Sequence, residues 1–367
     1  MKDKIIGIIF IAIICGFFLI NIIKKDEEIS LEQRRKLAQF PIFKIDNILN
    51  TTFAKGLDKY VVDQFTFNNM FRKIKAQIAY NVLNQKENND IFVKDNSLYK
   101  LEYPLNQKSL DNFNDVVSNL TKNLNKKNIS NIYISIVPDK NYYLTENIPK
   151  LEYNKIFTKI KENANKNKIK YIDITNNLDL KSYYRTDTHW KQEKLDNVVE
   201  TLMLNITNNK KYIKGNYEKK EYENFRGVYL GQSAINIPPD KLTYLTNSKI
   251  ENSIVTSIED KEKLSVYDES KLGKMDSYDV FLSGAKAFLT IENKEKVKEE
   301  KELIIFRDSF GSSISPLLIE KYSKIILIDL RYISMDKALE NIQKKDNQDV
   351  LILYSTLIVN NSFTLKK

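Results

Sequence analysis

The chain has one histidine, His189, and one tryptophan, Trp190, and they are adjacent in Tyr183-Tyr184-Arg185-Thr186-Asp187-Thr188-His189-Trp190. A neutral imidazole is the usual general base near pH 7, so any such chemistry here falls to His189. Asp187 is close enough along the chain to hold the ring through Nδ1–H, as a triad requires. A solitary histidine is more often a core or surface residue. A suitable alcohol downstream changes that reading. Ser309 stands in Arg307-Asp308-Ser309-Phe310-Gly311, between an apolar run and a helical one. A serine on a tight strand-to-helix turn is accessible and close to the backbone N–H groups that open a helix. Such donors can stabilise an oxyanion, and a base that takes the hydroxyl proton turns the oxygen into a nucleophile. A plain N-cap serine would occupy the same position. The Asp-x-His pair and the turn serine together point to nucleophilic catalysis.

These segments need a scaffold, and the surrounding pattern supplies one. Asn131 to Val137 and Tyr171 to Thr175 read as strands, with helices from Leu110 to Leu124 and Lys150 to Lys166. The Asp187–Trp190 block falls in a loop, followed by a helix from about Gln192 to Asn205. Near the end, Glu302 to Phe306, Lys324 to Leu330 and Val350 to Tyr354 read as strands. They alternate with helices over Ser312 to Tyr322 and Met335 to Lys344. This alternation predicts a parallel sheet covered on both faces. Ligands of such sheets sit beyond the carboxyl ends of the strands, where Ser309 falls. Residues 212–298 are polar and turn-rich and are expected to form a β-rich insertion, closed by a solvated charged run from Lys294 to Glu302. Ala54 to Ile78 has helical periodicity and is expected to pack on the main domain.

A formal charge of +10 is spread over scattered lysines mixed with acids, which fits a solvated surface. With no compact basic arm, nucleic acid is not an expected partner. The single cysteine, Cys15, lies inside the N-terminal apolar run, so the rest of the chain has neither disulfide nor cysteine metal site. With one histidine as well, no zinc site and no cofactor is expected. Ile5 to Ile23 is apolar except for Asn21 and would span about 28 Å as a helix, close to a bilayer's hydrocarbon core. Lys2 and Lys4 precede it and Asp26, Glu27 and Glu28 follow Lys24-Lys25, which predicts a cytoplasmic N-terminus and an extracytoplasmic remainder. A cleaved signal peptide is the alternative, but no small-x-small site follows the run. The expected organisation is an anchor over 1–24, a helical lead-in over 25–105 and an α/β domain over 106–367.

The block from Tyr184 to Trp190 followed by Phe306-Arg307-Asp308-Ser309-Phe310 resembles the DHHW family of bacterial proteins. That family is similar to the SGNH hydrolase-like domains of alginate O-acetyltransferase accessory proteins. The likeness extends to Arg34-Arg35-Lys36-Leu37-Ala38-Gln39-Phe40-Pro41, to Tyr60–Phe67, and to Val137-Pro138-Asp139-Lys140. It continues in Phe281-Leu282-Ser283-Gly284 and Ile328-Asp329-Leu330-Arg331-Tyr332, and so covers nearly the whole chain. Thr188 departs from the second His of the family name, and Arg307 stands where Lys is frequent.

The resemblance implies an SGNH-like fold with permuted motif order. It implies Ser309 as nucleophile, His189 as base and Asp187 as orienter. It also implies acetyl transfer at the cell membrane onto a cell-surface or exported polysaccharide, with a membrane-bound O-acyltransferase as acyl donor. A carbohydrate O-acetylesterase with the same triad, or a non-catalytic glycan-binding or assembly protein, are the alternatives. Ser309 N–H is the expected oxyanion donor. Gly284 is a second candidate against its reading as a turn glycine. Trp190 and Tyr184 are candidates to stack on a sugar, against roles in the core. Lys140 and Arg185 are candidates to hold an anionic sugar, against surface or ion-pair roles.

Overall fold

The computed structural model describes residues 2–43, 51–127, 129, 131–208, 212–260, 263–293, 301–345 and 347–367. Most of the charged run at 294–302 therefore lies outside the described residues. The chain divides into two compact units, Met1–Asn89 with Leu230–Ile237, and Asp90–Tyr229 with Pro238–Lys367.

The N-terminal unit starts with helix α1 (Lys2–Ile23), which is long and apolar enough to cross a membrane. Helices α2 (Thr52–Gln64) and α3 (Asn68–Gln77) follow, and α3 runs on into a π-helical turn over Ile78–Val82. The basic stretch after α1 is tied down by Arg35. Its guanidinium grips buried Asp63 of α2 through two bonds of 2.6 and 2.7 Å, and this hydrogen bonding holds the Asp63 carboxyl below its ordinary range. In the apolar stripe read from Ala54 to Ile78, Val61, Phe71, Ile74 and Ile78 are exposed.

The larger unit is built on a seven-stranded sheet. Its strands, numbered in chain order, are β1 (Ile132–Val137), β2 (Lys170–Tyr171), β3 (Ile254–Ser257), β4 (Phe288–Glu292), β5 (Glu302–Arg307), β6 (Lys324–Ile328) and β7 (Gln348–Ser355). The spatial order is β3-β4-β6-β5-β7-β1-β2. The pairings β6–β5, β5–β7, β7–β1 and β1–β2 are parallel, whereas β3–β4 and β4–β6 are antiparallel. Two short strands from the 212–298 span thus extend one edge of the parallel sheet. The strand read over Tyr171–Thr175 stops early because Asp173 Oδ1 accepts from the N–H and hydroxyl of Thr175, at 3.0 and 2.7 Å, and turns the chain.

Central strands are buried on both faces, as their unbroken apolar runs require. Alternate residues divide between two cores with the period of two of a pleated strand. Ile304, Phe306, Val350 and Ile352 meet α4 (Gln107–Lys126), α5 (Tyr153–Lys166) and α8 (Met335–Glu340). Leu303, Ile305, Leu351 and Leu353 meet α6 (Asp196–Thr207) and α7 (Phe310–Leu318). The result is a three-layer α/β/α fold with the loops after β1, β5, β6 and β7 gathered at one sheet end.

Candidate active site

Strand β5 ends at Arg307, and α7 begins at Phe310. Asp308 makes the tight turn between them. Its Oδ1 accepts the Phe310 N–H at 3.0 Å and its Oδ2 accepts the Ser355 N–H at 2.8 Å, which joins the ends of β5 and β7. Ser309 is left partly exposed between buried neighbours, at the start of the helix. Gly311 completes the turn. A Cβ there would lie 2.6 Å from Arg307 Cβ, so the first turn of α7 sits directly on the Arg307 stem. The Arg307 guanidinium is buried, its basicity lowered by that burial. Its nearest acid is Asp329, at 3.8 Å, which also takes a closer pair from Arg331 at 2.6 Å.

The second segment is a narrow loop. Tyr183 and Trp190 bridge as antiparallel partners, and Tyr184 N–H donates to His189 O at 3.1 Å. Asp187 and His189 sit at its tip. Asp187 Oδ1 lies 2.6 Å from His189 Nδ1 and also accepts the His189 backbone N–H at 3.1 Å. His189 Nε2 lies 2.8 Å from Ser309 Oγ. With Nδ1–H held on the carboxylate, Nε2 is free to accept the serine proton, the arrangement of a Ser-His-Asp triad. Two segments 120 residues apart thus converge on one alcohol.

Several contacts hold the loop in register. Trp190 Nε1 donates to Ser313 Oγ at 2.8 Å and its ring meets Phe310 edge-on, centroids 5.4 Å apart. Tyr278 stacks flat on the His189 ring, centroids 3.8 Å apart, while its hydroxyl donates to the same Ser313 Oγ at 2.8 Å. Asp240 accepts the Thr186 N–H and hydroxyl at 2.8 and 2.7 Å. Val228 N–H donates to Asp187 Oδ2 at 2.8 Å. This approach depends on Gly227, where a Cβ would lie 2.2 Å from Thr186 O. Lys140, three residues past the end of β1, is buried. Its ammonium donates to the carbonyls of Tyr184, Arg185 and Asp187 at 3.0, 3.1 and 2.9 Å, between the rings of Tyr99 and Tyr229. Burial pushes the Lys140 pKa down to about 7, against the opposing pull of Asp187, Asp240 and Asp139.

The candidate sugar contacts fare differently from the triad residues. Trp190 has no exposed surface and Tyr184 is 1 % exposed, so neither presents a face on which a sugar could stack. Lys140 is 3 % exposed and its donors are committed to carbonyls, which corrects the anionic-sugar reading. Arg185 is half-exposed, with its guanidinium on Asp240 and Pro239 O. Gly284 turns with φ +86°, packs against Asp279 and spends its N–H on Phe281 O at 3.2 Å, so it has no donor left for an oxyanion. Tyr278, Ser313, Gly227, Val228 and Asp240 were not identifiable from spacing, because each acts through long-range packing on the loop.

Together the fold and this site resemble an SGNH hydrolase-like domain. Residues 91–237, which contain Asp187 and His189, match the family model described as the SGNH hydrolase-like domain of acetyltransferase AlgX. No curated protein matches the sequence. Among solved structures, a DHHW family protein from Eubacterium siraeum is similar at 20% identity and a TM-score of 0.54, over 77% of this chain and 97% of that one. Bacillus cereus PatB1, solved with a sulfonyl adduct, is similar at 19% identity and 0.59, over 76% and 98%. The O-acetyltransferase domain of Pseudomonas putida AlgJ is similar at 11% identity and 0.46, over 74% and 92%. The likeness to DHHW proteins and SGNH-like acetyltransferase domains read from the sequence is met by these comparisons.

Proposed function

We propose that the protein is a membrane-anchored, extracytoplasmic O-acetyltransferase acting on a cell-surface or exported polysaccharide, with Ser309, His189 and Asp187 as its triad. The observation that carries this is the relay of 2.6 Å from Asp187 to His189 and 2.8 Å from His189 to Ser309. Ser309 Oγ attacks the acyl carbonyl carbon as its proton passes to His189 Nε2. The carbonyl oxygen gains charge beside the Ser309 N–H at the start of α7. The ester bond to the donor then breaks, and the leaving oxygen takes the proton from His189. A sugar hydroxyl repeats the sequence in reverse, giving its proton to His189, taking the acyl group and restoring the Ser309 hydroxyl.

Buried Asp187 orients the imidazole and balances its charge while it is protonated. Helix α1 serves as the anchor, its basic N-terminal flank on the cytoplasmic side, and a membrane-bound O-acyltransferase supplies the acyl group. The test is labelled acyl donor offered to wild type and Ser309→Ala, read by intact mass. Acyl-enzyme is expected in the wild type alone, and equal label in both rejects the nucleophile. Adding polysaccharide then separates transfer, with label on the glycan, from hydrolysis, with label as free acetate.

A further inference from the structure

We propose that the outer face of α3 and its π-helical extension is a lipid-binding surface, seated in the outer leaflet beside α1. The inference rests on the reading of α1 as a membrane anchor and adds a second point of attachment. Phe67, Phe71, Ile74, Ile78 and Val82 follow one another at intervals of three or four residues, and each is 41–73% exposed. The other side of the same helix carries the buried Ala76 and Ala79. A continuous apolar stripe of this length is the signature of an interaction surface, and its helical spacing suits an interfacial helix.

Contacts with α1 decide the occupant. Phe17 stacks on Phe65 with centroids 5.7 Å apart, meets Phe67 edge-on at 6.5 Å and lies 6.1 Å from Phe71. Asn21, the polar residue inside the apolar run, accepts through Oδ1 from Thr66 N–H at 2.8 Å and Thr66 hydroxyl at 3.1 Å. The junction of α2 and α3 is therefore fastened to the flank of α1, not to its end. Phe17 lies about 9 Å from the last residue of α1 at the rise of an α-helix. With α1 across an apolar layer of about 30 Å, Phe17 sits inside the hydrocarbon, and the rings in contact with it share that depth. An apolar groove of about 850 Å³ runs along the same junction, lined by Ile13, Phe17, Tyr60, Val61 and Phe65 among others. A lipid acyl chain fills such a groove, whereas water gains nothing there. Exposed Lys55, Lys59 and Lys75 on the two helices favour an anionic leaflet.

The test uses the full-length chain with Cys15→Ser, reconstituted into vesicles of phosphatidylcholine and phosphatidylglycerol. A nitroxide is placed in turn at Ile74→Cys, Val82→Cys, Lys75→Cys and Ile11→Cys. Collision rates with oxygen and with a water-soluble nickel complex report lipid and water respectively. The expected result is a several-fold higher oxygen-to-nickel ratio at positions 74, 82 and 11 than at 75. If 74 and 82 match 75 while 11 remains in lipid, the surface is overturned and the anchor stands. If 74 and 82 are shielded from both reagents, a protein partner covers the face and the lipid proposal fails. Water exposure at position 11 removes the anchor and this inference with it.

Discussion

Trp190 and Ser313 are joined by an indole N–H bond of 2.8 Å that latches the loop carrying His189 to the helix that follows Ser309. The approach of His189 to Ser309 is therefore braced by a side chain outside the Asp187–His189–Ser309 chain of bonds. Trp190→Phe keeps a flat apolar ring and deletes the donor. Acyl-enzyme formation is expected to fall by about 10- to 100-fold, the cost of a misplacement near 1 Å. An unchanged rate in stopped-flow acylation would show that packing of the ring suffices.

Asp187→Asn tests the orienting role. Val228 N–H needs an acceptor at the Oδ2 position, which would hold the amide oxygen there, turn the amide nitrogen toward Nδ1 and favour the wrong tautomer of His189. Acylation is expected to drop by about 10⁴-fold with the fold retained, as in triads generally. The check is single-turnover acylation alongside circular dichroism. A loss below tenfold would mean that the carboxylate is not needed.

Gly227→Ala addresses a close approach that cannot relax through side-chain motion. The added carbon would meet the backbone of Thr186 and Asp187 at 2.2 to 2.5 Å. Either the 227–229 segment or the triad loop must shift, and destabilisation of about 3 kcal/mol or more is expected in denaturant melts, at the upper end for overpacking. Loss of the Val228 bond to Asp187 should lower acylation in whatever fraction remains folded.

Lys140 supplies a pH signature. Its folded-state pKa of about 7 lies below that of an unfolded lysine. Between the two values the unfolded chain binds more protons, so this group makes stability rise with pH across that window. The cost of burying the charged form is fully present below pH 7. The slope from this residue is at most about 1.4 kcal/mol per pH unit. Lys140→Met should lower stability at every pH by stranding three carbonyls, yet remove the rise from neutral to alkaline pH in urea midpoints. Parallel pH profiles for the two proteins would refute the assignment.

How much of this was legible in the sequence depends on the range of the interaction. Asp187, His189 and Ser309 stand out in the sequence because the chemistry open to them is in their type and each sits in a short turn. The parallel strands could be named because burial on both faces leaves long apolar runs such as Leu303–Phe306 and Val350–Leu353. Trp190 and Tyr184 look from sequence like sugar-stacking residues because they are aromatic rings near His189, and Lys140 like an anion contact because it is a cation in the Val137–Lys140 motif. Only the three-dimensional packing reveals that they are enclosed and brace the loop. Tyr278 has no local signal, because its role depends on the His189 ring lying against it. The exposed stripe on α3 has the periodicity of a core helix, and periodicity does not say which solvent the apolar side meets.

His189 and Asp187 occupy one hairpin tip, closed by its own backbone bonds, while Ser309 belongs to a different crossover of the sheet. The dyad is thus a prefabricated part, and assembly of the whole leaves a single gap to be calibrated. A molecule in which α7 has slipped by one turn would keep Asp187 against His189 Nδ1 and lose the approach of Ser309 Oγ to Nε2. Such a species would also lose the indole bond to Ser313, so the environment of the single tryptophan reports whether that gap is set.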